Sequence, residues 1–259
     1  MELFIGIDIG SAHAKGVILG GQEQLGACER PSGGDYRGTA EKIWDDLLLQ
    51  AGFHAEDVAR SVATGYGAKQ AAFADEIVTD VSCHSKGLHF IRPSVRTAVD
   101  VGDLYGKAFR LDGQGNLLNF VMSSKCAGGS GRALKVISKV LQERIEDIGE
   151  LSLLSKKPVE FSTSCTVFAE SEAISLIAEG VAKEDLIAGI HRALAAQLHS
   201  LAERMGIEQE YALTGGGARN IGLVKAMEEV GKKTIYVPPE PHMTAALGAA
   251  IIAGEMKTS

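Results

Sequence analysis

The segment Leu3-Phe4-Ile5-Gly6-Ile7-Asp8-Ile9-Gly10-Ser11-Ala12-His13-Ala14-Lys15-Gly16-Val17-Ile18-Leu19 reads as two apolar strands around a tight Gly10-Ser11 turn. Outward from it, the pattern predicts a strand near Leu25 to Glu29, a helix around Ala40 to Gln50, and strands near Arg60 to Thr64 and Glu76 to Thr79. The same order then recurs. Arg96-Thr97-Ala98-Val99-Asp100-Val101-Gly102 is an apolar strand ending in Asp and Gly; Lys107 to Leu111 and Asn116 to Val121 follow as strands, and a helix runs from about Arg132 to Leu141. Two halves with the same meander followed by helices imply an internal duplication in an α/β fold. Duplicated lobes place a ligand cleft between them. The expected division is a first lobe over residues 1–93, with 242–259 packing back onto it, and a second lobe over 94–241.

Each half carries one chemical device, a carboxylate at a strand end followed by a glycine turn. In Asp8-Ile9-Gly10 and Asp100-Val101-Gly102 the turn brings backbone N–H groups towards a phosphate, and the aspartates suit a magnesium ion held through water. A lone Asp-x-Gly is commonly an ordinary hairpin turn, but a pair at equivalent places in two repeats is far more specific. A third element, Ala212-Leu213-Thr214-Gly215-Gly216-Gly217-Ala218-Arg219-Asn220, is a strand running into three glycines and then a helix, which suits close approach of a nucleoside and its α-phosphate.

Two cysteines sit where a segment turns into a helix, in Lys125-Cys126-Ala127-Gly128-Gly129-Ser130-Gly131-Arg132 and Ser164-Cys165-Thr166-Val167-Phe168-Ala169-Glu170. Free cysteine usually behaves as a small buried hydrophobe. A glycine-rich basic segment is a poor setting for a core residue, and a helix N-terminus stabilises thiolates and any anionic cluster they hold. Two thiolates are half of a four-thiolate shell; a two-fold dimer supplies the other half, with one metal centre on the axis. Four thiolates also suit zinc.

The remaining candidates read as structural. Cys28 lies on an expected strand and Cys83 at an expected helix start, both suited to local packing. His191 and His199 lie on a helix from about Glu184 to Met205 with an apolar stripe of Ile187, Ile190, Leu194, Leu198 and Leu201. His191 is expected to be a hydrogen-bonded structural histidine. Glu170 and Glu172, in a first helical turn, complement the helix dipole.

With 26 Lys+Arg against 33 Asp+Glu among 259 residues, the net charge of -7 argues against a general nucleic-acid or anionic-membrane surface. No apolar run approaches the roughly 20 residues of a membrane span. The first strand begins two residues after Met1, leaving no room for a signal peptide, so a cytoplasmic location is expected. Cysteines at 28, 83, 126 and 165 do not resemble a disulfide framework, and a reducing compartment leaves them as thiols or metal ligands.

The two phosphate turns and Thr214-Gly215-Gly216-Gly217 resemble the actin, Hsp70 and sugar kinase ATPase superfamily, with its duplicated ribonuclease H-like fold. The two cysteine segments and Gly189-Ile190-His191-Arg192 resemble one branch of it, the BadF/BadG/BcrA/BcrD-type ATPases: activators of 2-hydroxyacyl-CoA dehydratases and ATPase subunits of benzoyl-CoA reductase. The resemblance runs from about Ile5 to Ile252. It implies a homodimer or pseudo-symmetric heterodimer holding one 4Fe-4S cluster through Cys126 and Cys165 of each chain, with ATP hydrolysis driving a low-potential electron onto an iron–sulfur dehydratase or reductase. Ferredoxin or flavodoxin is the implied upstream donor. Asp8 and Asp100 are implied as the catalytic, magnesium-organising carboxylates. Gly10, Ser11, Ala12, His13, Lys15, Gly102, Asp103, Gly215, Gly216 and Gly217 are implied as ATP/ADP contacts.

One loop departs from the activator pattern. Activators usually continue the second turn as Gly-Gly-Gln-Asp-Ser-Lys, whereas this chain reads Gly102-Asp103-Leu104-Tyr105-Gly106-Lys107, closer to the smaller ATPase subunit of benzoyl-CoA reductase. The polar group expected near the γ-phosphate is then absent or comes from Asp103. Two other functions fit the same scaffold: a small-molecule kinase with Asp100 as base, and a zinc-bridged regulatory ATP-binding subunit.

Overall fold

A computed structural model describes residues 1–123, 129–161 and 166–256. The chain divides into two compact units, Met1–Val95 with Arg110–Leu118 and His242–Ser259, and Arg96–Phe109 with Asn119–Pro241.

The first unit is a five-stranded sheet of order β3-β2-β1-β4-β5, built from β1 (Leu3–Ile9), β2 (His13–Gly20), β3 (Glu23–Pro31), β4 (Val58–Thr64) and β5 (Glu76–Ile77). β2 lies antiparallel to β1 and β3, while β4 runs parallel to β1 and β5 parallel to β4. Alternation along β1 explains its unbroken apolar run, because both faces are covered. Leu3, Ile5, Ile7 and Ile9 pack with Ile43 and Leu47 of α1 (Tyr36–Ala51). On the other face Phe4 packs with α8 (Thr244–Glu255), and a side chain at Gly6 would collide with the Ala246 carbonyl and the Ala250 amide. Each fully buried isoleucine or leucine contributes about 1.5–3 kcal/mol.

Between β4 and α8 the chain forms α2 (Asp80–Ile91). The strand expected to reach Thr79 ends at Ile77, because Thr79 caps α2: its side chain accepts from the Ser82 amide. Helix α2 therefore starts at Asp80, three residues ahead of the expected start at Cys83. Cys83 is fully buried, with burial pushing its thiol up to about 12, and Cys28 is likewise pushed up to about 11 by burial and Asp46. Both are packing residues.

The second unit holds a four-stranded sheet, order β8-β7-β6-β9, from β6 (Thr97–Val101), β7 (Gly106–Leu111), β8 (Leu117–Met122) and β9 (Tyr211–Thr214). Its helices are α3 (Arg132–Val140), α4 (Ile148–Ser152), α5 (Thr166–Ala178), α6 (Lys183–Glu203) and α7 (Ile221–Gly231). Val99, Val101, Tyr211 and Leu213 meet Leu134 and Ile137 of α3 and the whole expected stripe of α6 in one core.

His191 is buried beside this core, and among the described residues it has no hydrogen-bond partner at either ring nitrogen. The expected hydrogen bond is not made: the ring packs against Gly222 of α7, the glycine that leaves it room, and the Ser152 hydroxyl beside that glycine donates to the Gly149 carbonyl instead. Burial pushes its pKa down to about 4. No helix among the described residues is long and apolar enough to cross a membrane.

Candidate functional site

In the first unit, β1 carries Asp8 to the point where the chain reverses at Gly10–His13. The Gly10 amide donates to the His13 carbonyl at 3.1 Å, and Ser32 braces the turn, its hydroxyl donating to the Gly10 carbonyl at 2.6 Å and its amide to the Ala12 carbonyl at 2.9 Å. A Cβ at Gly10 would lie 2.7 Å from that His13 carbonyl, so no other residue closes the turn this tightly. Asp8 and Lys15 are cross-strand partners in the β1/β2 register, and their charged ends pair at 3.0 Å with little solvent exposure.

The second unit repeats the glycine turn and the carboxylate–lysine pair. The Gly102 amide donates to the Tyr105 carbonyl at 3.0 Å, a Cβ at Gly102 would lie 3.0 Å from that oxygen, and Lys107 pairs with buried Asp100 at 3.4 Å. Lys15 stands seven residues after Asp8, and Lys107 seven after Asp100. Sequence reasoning named Lys15 as a site residue and passed over Lys107; the internal repeat was the signal that identifies it.

Each carboxylate is also backed by a Thr-Gly pair from a parallel strand. Thr64 lies opposite Asp8 in the β1/β4 register and Thr214 opposite Asp100 in β6/β9. Thr64 donates to the Val78 carbonyl at 2.7 Å and Thr214 to the Pro241 carbonyl at 2.8 Å. The next residues, Gly65 and Gly215, adopt φ +88 and +83. A Cβ at Gly65 would collide with Asp8 Oδ1 and lie 2.7 Å from the Ile9 carbonyl; at Gly215 it would collide with Asp100 Oδ1 and lie 2.9 Å from the Val101 carbonyl. Gly216, Gly217 and Ala218 continue as a short 3-10 turn into Asn220, whose side chain caps α7 by accepting from the Leu223 amide at 2.9 Å. The Gly215–Gly217 element was recognised from sequence, whereas its counterpart Thr64-Gly65 was not.

Asp103, beside Gly102, forms an ion pair with Lys135 at 2.6 Å and accepts from Arg132 at 3.2 Å. Cys126 and Cys165 lie outside the described residues. Among the described residues no group of three or more His, Cys, Asp or Glu side chains is placed to hold a metal ion.

A duplicated α/β chain whose halves each present a buried carboxylate, a paired lysine and two glycine turns is an ATPase of the actin-like fold. At 13% identity, its likeness to a ROK-family glucokinase from Streptomyces griseus shows that fold alone, with a TM-score of 0.63 over 98% of this chain and 100% of the other. The chain belongs to the BadF/BadG/BcrA/BcrD ATPase family, which it matches over residues 5–253. It is 41% identical over 249 residues to the 2-hydroxyisocaproyl-CoA dehydratase activator of Clostridioides difficile, covering 96% of this chain and 94% of that one. The solved structure of the activator of the 2-hydroxyisocaproyl-CoA dehydratase from Clostridium difficile with bound ADPNP is similar at a TM-score of 0.92 and 38% identity, covering 99% of each chain.

Proposed function

We propose that this chain is an ATP-dependent activator that passes a low-potential electron to an acyl-CoA dehydratase. The observation that carries the reading is its likeness, over nearly all of both chains, to a protein named as a 2-hydroxyisocaproyl-CoA dehydratase activator, joined to the two repeated Asp–Gly–Lys turns.

The residues present fit phosphate and magnesium. Each turn brings backbone within reach of an anion where a glycine leaves no room for a side chain, and sets beside it a buried carboxylate with one lysine. In this reading the Gly10–His13 and Gly102 turns approach phosphate oxygens, and Gly215, Gly216 and Gly217 lie against the nucleoside and α-phosphate. Asp8 and Asp100 hold hydrated magnesium and orient the attacking water. Lys15 and Lys107 fix those carboxylates in place and offset phosphate charge. Preorganised charge of this kind is typically worth about 3–4 kcal/mol of transition-state stabilisation per group.

For the redox group the fit rests on donor chemistry: Cys126 and Cys165 offer two thiolates per chain, half of a four-thiolate shell. A 4Fe-4S cluster shared by two chains, as a homodimer or a pseudo-symmetric heterodimer, supplies the one-electron chemistry when bound. Ferredoxin or flavodoxin is the proposed donor to it, and the chain's own contribution is to make delivery depend on nucleotide.

The deciding experiment is anaerobic purification with metal and sulfide analysis, followed by assay with a 2-hydroxyacyl-CoA dehydratase. About four iron atoms per dimer, a visible band bleached by dithionite, and dehydratase turnover that requires ATP are expected. A colourless protein containing zinc, or one that phosphorylates a small molecule, overturns the reading.

A further inference from the structure

Helix α3 begins six residues after Cys126 and starts against its own dipole. Its first turn contains Arg132 and Lys135 and no acidic residue, and its N-cap, Gly131, provides no side-chain hydrogen bond. Cations at a helix N-terminus are unfavourable. The missing negative charge comes from the second phosphate turn: Asp103 takes Lys135 on one carboxylate oxygen at 2.6 Å and Arg132 on the other at 3.2 Å. Burial pushes the Asp103 carboxyl up, but Lys135 and Arg132 together hold it below its ordinary value. The backbone adds a third tie, since the Gly131 amide donates to the Gly102 carbonyl at 2.9 Å. A Cβ at Gly131 would sit a tight 3.3 Å from that carbonyl. On its far side α3 is anchored in the core by Leu134 and Ile137. The first turn of α3 and the Gly102 turn are thus one mechanical piece.

From this we infer that Asp103 is a positioning residue that couples occupancy of the Gly102 turn to the N-terminus of α3, instead of acting as a direct ligand of nucleotide or magnesium. The inference rests on the reading of that turn as phosphate-binding. An arriving phosphate acts on the Gly102 turn, whose carbonyl holds the Gly131 amide and whose Asp103 holds Arg132 and Lys135, so the grip on α3 changes with the nucleotide bound. This chain places an acidic residue directly after Gly102, and the two cations that answer it stand on the helix that follows the Cys126 segment. The route therefore leads from the Gly102 turn to the first turn of α3.

The test is amide hydrogen exchange of residues 133–140 in the full chain, with ADPNP and with ADP. In the parent, exchange in the first turns of α3 should differ by about fivefold between the two nucleotides. In Asp103→Ala, and separately in the Arg132→Ala/Lys135→Ala double variant, that difference should collapse while ADPNP still binds. Asp103→Glu should restore it, which a purely structural role would not require. Full nucleotide dependence in both variants, or none in a parent that binds ADPNP, overturns the inference. Failure of the parent to bind ADPNP at all instead overturns the phosphate reading of the Gly102 turn, and the inference with it. The double variant leaves the turn intact and keeps the test open if Asp103→Ala does not fold.

Discussion

Lys15 reaches from β2 to hold Asp8 at 3.0 Å with both side chains almost withdrawn from water, at 13% and 11% exposure. Removing one partner of such a pair strands a buried charge, at a cost of about 3–5 kcal/mol. Lys15→Met is expected to lower stability by about that amount, and Lys107→Met to do the same at Asp100. Adding Asp8→Asn to Lys15→Met should recover much of the loss, because both charges then leave together. Urea denaturation of the three variants checks this; an unchanged midpoint in the single lysine variants would show that the pairs contribute no net stability.

The same carboxylates are expected to matter more for turnover than for binding. Asp8→Asn and Asp100→Asn should each reduce ATP hydrolysis by about a hundredfold or more while ATP affinity changes little. Steady-state hydrolysis beside equilibrium binding of ADPNP separates the two effects. Undiminished turnover in Asp100→Asn removes its proposed role, and a parent that binds ATP without hydrolysing it points to a heterodimer in which a companion subunit hydrolyses.

Gly65 and Gly215 can be separated from ordinary left-handed glycines. Gly180 has φ +82 with nothing within 4 Å of an added Cβ, so Gly180→Ala should cost only the backbone term of about 1–2 kcal/mol. Gly65→Ala and Gly215→Ala must also displace a buried carboxylate, raising the cost to about 3 kcal/mol or more and weakening ADPNP binding. Equal losses of stability at all three sites would show that the contacts to Asp8 and Asp100 are not limiting.

At the cysteines, Cys126→Ala or Cys165→Ala prepared without oxygen should lose iron and sulfide and retain most ATP binding. Because each chain offers half a ligand shell, complete chelation of iron should shift sedimentation from dimer towards monomer. Full iron in either variant rules out the bridging assignment, and an unchanged dimer after chelation means that protein contacts alone hold it.

His191 introduces a pH dependence whose sign follows from its burial. Its folded pKa, pushed down to about 4, lies below the unfolded value of about 6.5, so the unfolded chain binds the extra proton first. The stability it carries is complete above about pH 6.5 and is lost as pH falls towards 4, amounting to about 2 kcal/mol at pH 5. Urea denaturation at pH 7.5 and 5 should show this loss in the parent, with that part of the pH dependence absent in His191→Leu. An identical pH dependence in both would mean that the ring reaches water or a partner when protonated.

Much of the phosphate machinery was legible because it is written in adjacent residues. An apolar run ending in Asp-x-Gly signals a strand closing on a turn whatever surrounds it, and finding it twice exposed the repeat. Gly215–Gly217 stood out for the same local reason. Thr64-Gly65 was missed because one glycine after a strand is unremarkable until Asp8 is seen against it, and Lys107 because a lysine on a strand declares no partner. The misread start of α2 came from reading Cys83 without its cap at Thr79, a hydrogen bond that composition does not display.

What the sequence determined by itself was the alternation that builds two α/β halves and the paired carboxylate–glycine turns, since period-two burial and turn closure act between near neighbours. Only the tertiary structure decided which lysine answers Asp100, that Gly65 and Gly215 back the two aspartates, that Asp103 pairs with Arg132 and Lys135, and that His191 is buried with no hydrogen-bond partner among the described residues. Those outcomes depend on distance and desolvation between residues far apart along the chain, which are set only when the sheets and helices pack.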